Sequence, residues 1–153
     1  MIIDVHTHIP SHYENVANNE EQYDERVRPD KAVKTTTSIP DYFEAMEPVD
    51  FAILFGIARH PDKNDFLDEL GFGDNVGNKK ANVNDTTAEI AAMRPDKIIG
   101  FMSVHPDDKS VLNEVNRCKE DLNLKGIKLG PNYQNFNPLG ENAAKLYGFA
   151  ELN

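Results

Sequence analysis

The chain begins MIIDVHTHIP, and within it DVHTH sets two histidines two residues apart at the end of an apolar run. On a β-strand, side chains two apart project from the same face, so His6 and His8 become neighbours, with Asp4 below them. Neutral imidazole is a common ligand for zinc and related divalent ions, and a catalytic zinc usually keeps three protein ligands and an open position for water. Two adjacent imidazoles are therefore half a metal site. The competing interpretation of the HTH tripeptide is polar surface at a strand end. Position favours the metal: in parallel barrels the catalytic residues sit at the C-terminal ends of strands, where His6 and His8 fall if the first strand is Ile2 to Val5.

The elements that would position such a site are short β-branched runs alternating with helical patterns, the signature of βα units on a parallel sheet. Four units fit. The first strand spans Ile2 to His6. In SIPDYFEAMEP, Ser38 caps a helix, Pro40 suits its first turn and Pro48 closes it. The second strand, Phe51 to Ile57, is too continuously apolar to have a face in water, so it belongs at the centre of the sheet or covered on both sides. Residues 59–84 are dense in Gly, Asn, Asp and Lys and predict a long loop with one short helix near Phe66 to Leu70.

Asp85 then caps TTAEIAAMRPD, and the third strand follows from Lys97 to Val104. A third helix runs from near Asp107 to Leu122, with Val111, Leu112, Val115, Cys118 and Leu122 in one apolar stripe, which makes Cys118 a core residue. The fourth strand spans Lys125 to Leu129. After the turn-rich GPNYQNFNPLG, a last helix carries Ala143, Leu146, Tyr147, Ala150 and Leu152.

A length of 153 residues allows one domain with a real core, taken here as 1–153. No apolar stretch approaches the roughly 20 residues of a membrane helix, and MIIDVHTH lacks the basic start of a secretory signal. A single cysteine forms no internal disulfide and fits a reducing compartment, so the cytoplasm is the expected location. The net charge of −10 argues against nucleic acid or an anionic membrane and leaves a small molecule as the expected partner. A nucleotide-binding flavodoxin-like domain is disfavoured, since no phosphate-binding glycine loop follows any strand.

Taken in order, MIIDVHTHIP, EAMEPVDFAILFGI, RPDKIIGFMSVHPDD and LKGIKLGPNYQNFNP resemble the N-terminal half of the amidohydrolase superfamily, closest to the amidohydrolase-related family of metal-dependent hydrolases and decarboxylases. The similarity covers nearly all of the chain and is weakest between about Ser11 and Thr37. It implies an α/β fold of TIM-barrel type, about half of a (β/α)8 metallo-dependent hydrolase barrel. It also implies that His6 and His8 bind a divalent metal, with zinc the expected ion. Further ligands and the acid/base residue would come from fifth, sixth and eighth strands, so the catalytic residues are expected beyond Asn153.

A complete barrel takes roughly 250 residues, and four units make about half of one. An open parallel half-barrel leaves two unpaired edges and leaves room for a homo-oligomer or a partner half.

The remaining candidates are contacts to substrate. Lys128 lies near the end of the fourth strand, where two-metal relatives carry a carboxylated lysine; a substrate-facing or structural ammonium is the main alternative. His105, in SVHPDD, either faces the pocket or fixes its loop by hydrogen bonds. Tyr133 and Gln134 follow the fourth strand and either touch substrate or form a surface turn. Gly130 stands where many relatives have a histidine, while His12 and His60 lie in polar loops and are expected to be solvated. The expected function is a metal-dependent hydrolase in which metal-activated water attacks a small molecule. A decarboxylase of the same family is the alternative, and an inactive truncated fragment needing a partner half is the other.

Overall fold

In the computed structural model, residues 1–10, 38–61 and 82–152 are described. The predicted short helix near Phe66 to Leu70, most of the loop over 59–84, and His12 lie outside them. Five parallel strands run along one sheet-like layer. They are β1 (Ile3–His8), β2 (Phe51–Phe55), β3 (Ile98–Gly100), β4 (Met102–Ser103) and β5 (Ile127–Lys128). The order is β1-β2-β3, then β4-β5, with every pairing parallel.

Helices supply the connections: α1 (Ile39–Ala45) precedes β2, α2 (Val83–Met93) precedes β3, and α3 (Val111–Glu120) precedes β5. The short α4 (Pro131–Gln134) and the longer α5 (Glu141–Leu152) follow the last strand. Among the described residues no helix is long and apolar enough to cross a membrane.

The first strand runs two residues further than its apolar pattern predicts. Ile9 N–H still donates to Phe55 O at 3.1 Å, so the pairing with β2 carries through His8 and both histidines lie on the strand itself. The predicted third strand divides at Phe101. Its neighbours change there: Phe101 N–H still donates to Leu54 O on β2 at 2.8 Å, while Met102 N–H reaches Gly126 O at 2.8 Å and hands the strand on to β5. That hand-over needs Gly126, because a Cβ there would lie 2.5 Å from the Phe101 ring.

β2 is central, as its apolar run predicts. Ala52 and Leu54 are fully buried against Tyr42, Ile90 and Ile98, forming one core between sheet and helices. Phe51 and Ile53 on the strand are only half-buried. A second core gathers Met102, Val104, Val115, Cys118, Leu124 and Leu146 under α3 and α5. Burial, and secondarily the nearby Glu114 carboxylate, push the Cys118 thiol up to about 12, which keeps it an inert core group.

Local signals placed α1 well. Ser38 Oγ accepts from Asp41 N–H and the Asp41 carboxylate accepts from Ser38 N–H, a reciprocal cap with Pro40 in the first turn. The start of α2 differs: Asn82, not Asp85, is the cap, its Oδ1 accepting from Asn84 N–H at 2.9 Å. Asp85 falls in the first turn, where Arg117 of α3 holds it at 2.6 Å. In α3 the stripe is buried at Val115 and Cys118, but Leu112 is exposed, and the helix begins at Val111 rather than near Asp107. In α5, Ala143 and Leu146 are buried while Tyr147 and Leu152 face outward.

Arg117 also grips Glu114 through two nitrogens, at 2.8 and 2.9 Å, and Glu114 Oε1 accepts from the side chains of Asn82 and Asn84. These bonds, the Arg117 contact foremost, outweigh partial burial and hold the Glu114 carboxyl down to about 2. Glu114→Gln is expected to lower stability by about 2 kcal/mol, the scale of a lost charged hydrogen-bond set. Because the folded value lies below the unfolded one, the stabilisation is complete above about pH 4.5 and fades as pH falls towards about 2. Urea unfolding of both proteins across that range checks this, and a gap that stays constant to the acid end would contradict it.

Candidate metal centre

Strand alternation turns Thr7 into the core between β1 and α1, where its hydroxyl bonds the Tyr42 hydroxyl at 2.8 Å and donates to Ile53 O at 2.8 Å. His6 and His8 project from the opposite face. The ladder is irregular between Asp4 and Thr7, and the Asp4 carboxylate accepts from His6 N–H at 3.0 Å, fixing the backbone just before the pair. The two Nε2 atoms stand 3.2 Å apart. Both rings meet the edge of Phe55 on β2, with centroids at 5.1 Å for His6 and 4.8 Å for His8. Lys128, from β5, places its Nζ 4.5 Å from the centre of the same Phe55 ring.

This pair fits one ion. Ligand bonds of about 2.0–2.1 Å at right-angled to tetrahedral angles separate two donor atoms by roughly 2.9–3.4 Å, and the observed 3.2 Å lies inside that window. A ligand nitrogen must also be unprotonated. Although His8 keeps exposed surface, its ring is crowded against Phe55; burial, then the neighbouring His6 and Lys128 charges, lower its pKa to about 4. Among the described residues no third His, Cys, Asp or Glu joins the pair.

The other predicted contacts fall elsewhere. His105 is buried with both ring nitrogens engaged: Nδ1 accepts from Asp107 N–H at 3.1 Å, and Nε2 pairs with Gln134 O at 2.7 Å. Accepting at Nδ1 places the ring proton on Nε2, where it is donated to the carbonyl. The Gln134 amide is fully buried. Its Nε2 donates to Ala58 O and Val104 O, both at 2.9 Å, and its Oε1 accepts from Gly130 N–H at 2.8 Å. These two residues therefore tie the ends of the strands together, and their side-chain polar atoms are spent on the protein. Tyr133 is 54% exposed beside Gly130.

His60 differs from its expected solvated state: it is half-buried, with its ring 4.4 Å from that of His105. His60, His105 and Asp107 bring one ligand atom each to within 4.8 Å of one another. An ion there would have to displace one of the two hydrogen bonds that tie the His105 ring to the backbone, whereas the β1 pair gives up only the contact between its own two Nε2 atoms and so makes the stronger centre. Nothing in the spacing of the sequence signals the cluster, because His60 and His105 meet only through the loops after β2 and β4.

No family model and no curated protein matches the chain. Solved structures do. A 5-carboxyvanillate decarboxylase from Novosphingobium aromaticivorans, crystallised with manganese, matches at 17% identity and a TM-score of 0.60, over 99% of this chain and 48% of that one. The 4-oxalomesaconate hydratase from Rhodopseudomonas palustris matches at 20% identity and a TM-score of 0.56, over 97% and 48%. A 2,6-dihydroxybenzoate decarboxylase from Rhizobium matches at 17% identity and a TM-score of 0.56, over 99% and 46%. The chain thus spans about half the length of the solved structures it matches. What it shares with these decarboxylases and this hydratase is a fold, an α/β arrangement of parallel strands that matches about half of their length and agrees with the half-length α/β architecture expected from the sequence.

Proposed function

We propose that this chain is the metal-binding half of a divalent-metal-dependent decarboxylase acting on a small carboxylic acid. The observation that carries the proposal is the His6–His8 pair, with Nε2 atoms 3.2 Å apart at the C-terminal end of β1. Hydrolysis, the first expectation from the sequence, yields to decarboxylation because two of the three matched enzymes named above are decarboxylases and none is named a hydrolase. Manganese replaces zinc as the expected ion for the same kind of reason: it is the metal bound in the carboxyvanillate enzyme.

When bound, a divalent ion supplies Lewis-acid polarisation of a substrate oxygen. His6 and His8 would hold it through Nε2, and Phe55 fixes the direction of both rings through its T-shaped contacts with them. Asp4 steadies the backbone just before them.

Titration of manganese followed by electron paramagnetic resonance tests the site, and release of carbon dioxide from 5-carboxyvanillate and 2,6-dihydroxybenzoate tests the reaction. Uptake of the ion by the wild type and its loss in His6→Ala and in His8→Ala are expected. Equal uptake by all three proteins would sink the site. Ester or amide cleavage by the manganese-loaded protein without any carbon dioxide release would restore the hydrolase.

A further inference from the structure

Among the described residues, the Lys128 ammonium is a cation without an anion. It is half-buried at the end of β5, and among the described residues no carboxylate forms an ion pair with it, in a chain whose net charge is −10. Three of the other described lysines do pair: Lys97, Lys119 and Lys145 each contact a glutamate, at 3.8, 3.3 and 2.8 Å, while Lys109 and Lys125, like Lys128, meet no carboxylate among the described residues. Lys128 instead lies over the face of Phe55, the ring whose edge meets His6 and His8. An aromatic face attracts a cation but neutralises no charge, so the ammonium still presents its donors to whatever enters beside the histidines.

We infer that Lys128 is an anion anchor, binding a carboxylate of the substrate next to the metal-binding pair. This rests on the His6–His8 site proposed above and adds the residue that holds the carboxylate of its substrate. Three features favour the assignment over a purely structural lysine. The ammonium has no hydrogen bond to a protein acceptor among the described residues, where a structural lysine would cap a carbonyl, as Lys97 does with Glu47 O at 3.1 Å. The side chain is half-buried with its head already resting over the Phe55 ring, which spares part of the entropy of ordering a long side chain when an anion arrives. A single ammonium balances a single negative charge, which fits a carboxylate. Residue and histidines come from opposite ends of the strand order, so an anion held by both would span the mouth of the layer.

The test compares benzoate with benzamide, which share shape and differ in charge, by nuclear magnetic resonance titration of the labelled chain. Benzoate is expected to shift the Lys128 and Phe55 signals, and benzamide to leave them unmoved. Lys128→Met, which keeps the stem over Phe55, is expected to weaken benzoate binding about tenfold or more, and Lys128→Arg to retain most of it. The benzoate–benzamide comparison needs no variant, so misfolding of one does not end the test. Equal response to the two probes, no response to benzoate, or undiminished benzoate binding by Lys128→Met would overturn the anchor. Manganese uptake, measured on the same proteins, separates the two levels. Normal uptake with charge-blind binding removes the anchor alone, whereas absent uptake with charge-selective, Lys128-dependent binding removes the metal reading and keeps the anchor.

Discussion

Gln134→Ala is expected to destabilise the chain by on the order of 4 kcal/mol, because it strands several buried polar groups at once and each costs about 1–3 kcal/mol when left unpaired. The amide is fully buried and serves Ala58 O, Val104 O and Gly130 N–H, which lie after β2, after β4 and after β5. No other side chain described bridges those three ends. The backbone carbonyl of Gln134 also receives the His105 proton, and the shift of α4 that follows truncation would loosen that contact too. A small domain has only about 5–15 kcal/mol in all, so the loss is a large share of the total.

Gln134→Met separates the two components. It restores volume but no hydrogen bond, and it is expected to recover under half of the loss. Urea unfolding monitored by circular dichroism measures both variants. Destabilisation below about 1 kcal/mol in Gln134→Ala would mean that water replaces the amide and that the strand ends are held by other means.

That latch also shows where the sequence was legible and where it was not. Ser38, Asp41 and Pro40 act on residues three or four positions away, so the cap and start of α1 could be read directly. His6 and His8 are neighbours by strand geometry alone, and their pairing followed from the same kind of local rule. At the start of α2 the sequence pointed to Asp85 as the cap, but Asn82 takes that place. Asp85 is drawn instead to Arg117, 32 residues away, and the neighbouring Asn84 to Ser103 N–H and Glu114, contacts that no local pattern encodes. Gln134 and His105 looked like pocket residues because they follow strands at the end where catalytic groups gather. Their 29-residue separation hid that they satisfy each other. Lys128 was placed at the right strand end by the sequence, but its position over Phe55 depends on the order β1-β2-β3 and β4-β5 being wrapped in one layer.

Phe55 joins the core to the site, and Phe55→Ala is expected to damage both. The side chain is 1% exposed, so its removal empties a well-packed space at a cost of about 3–5 kcal/mol. It also removes the surface against which His6 and His8 are braced and over which Lys128 lies. With the ring gone, the two imidazoles regain rotamer freedom that an ion would have to remove again, and manganese affinity is expected to fall about tenfold or more, as when the supports of a metal ligand are lost. Phe55→Leu distinguishes bracing from folding. Leucine refills much of the volume and restores most of the stability, but it offers neither a flat edge to the histidines nor a π-face to the ammonium. Manganese affinity in Phe55→Leu should therefore remain depressed while the urea midpoint returns towards that of the wild type. Recovery of both together would assign Phe55 to the core alone and leave the orientation of the histidines to β1 and the Asp4 contact.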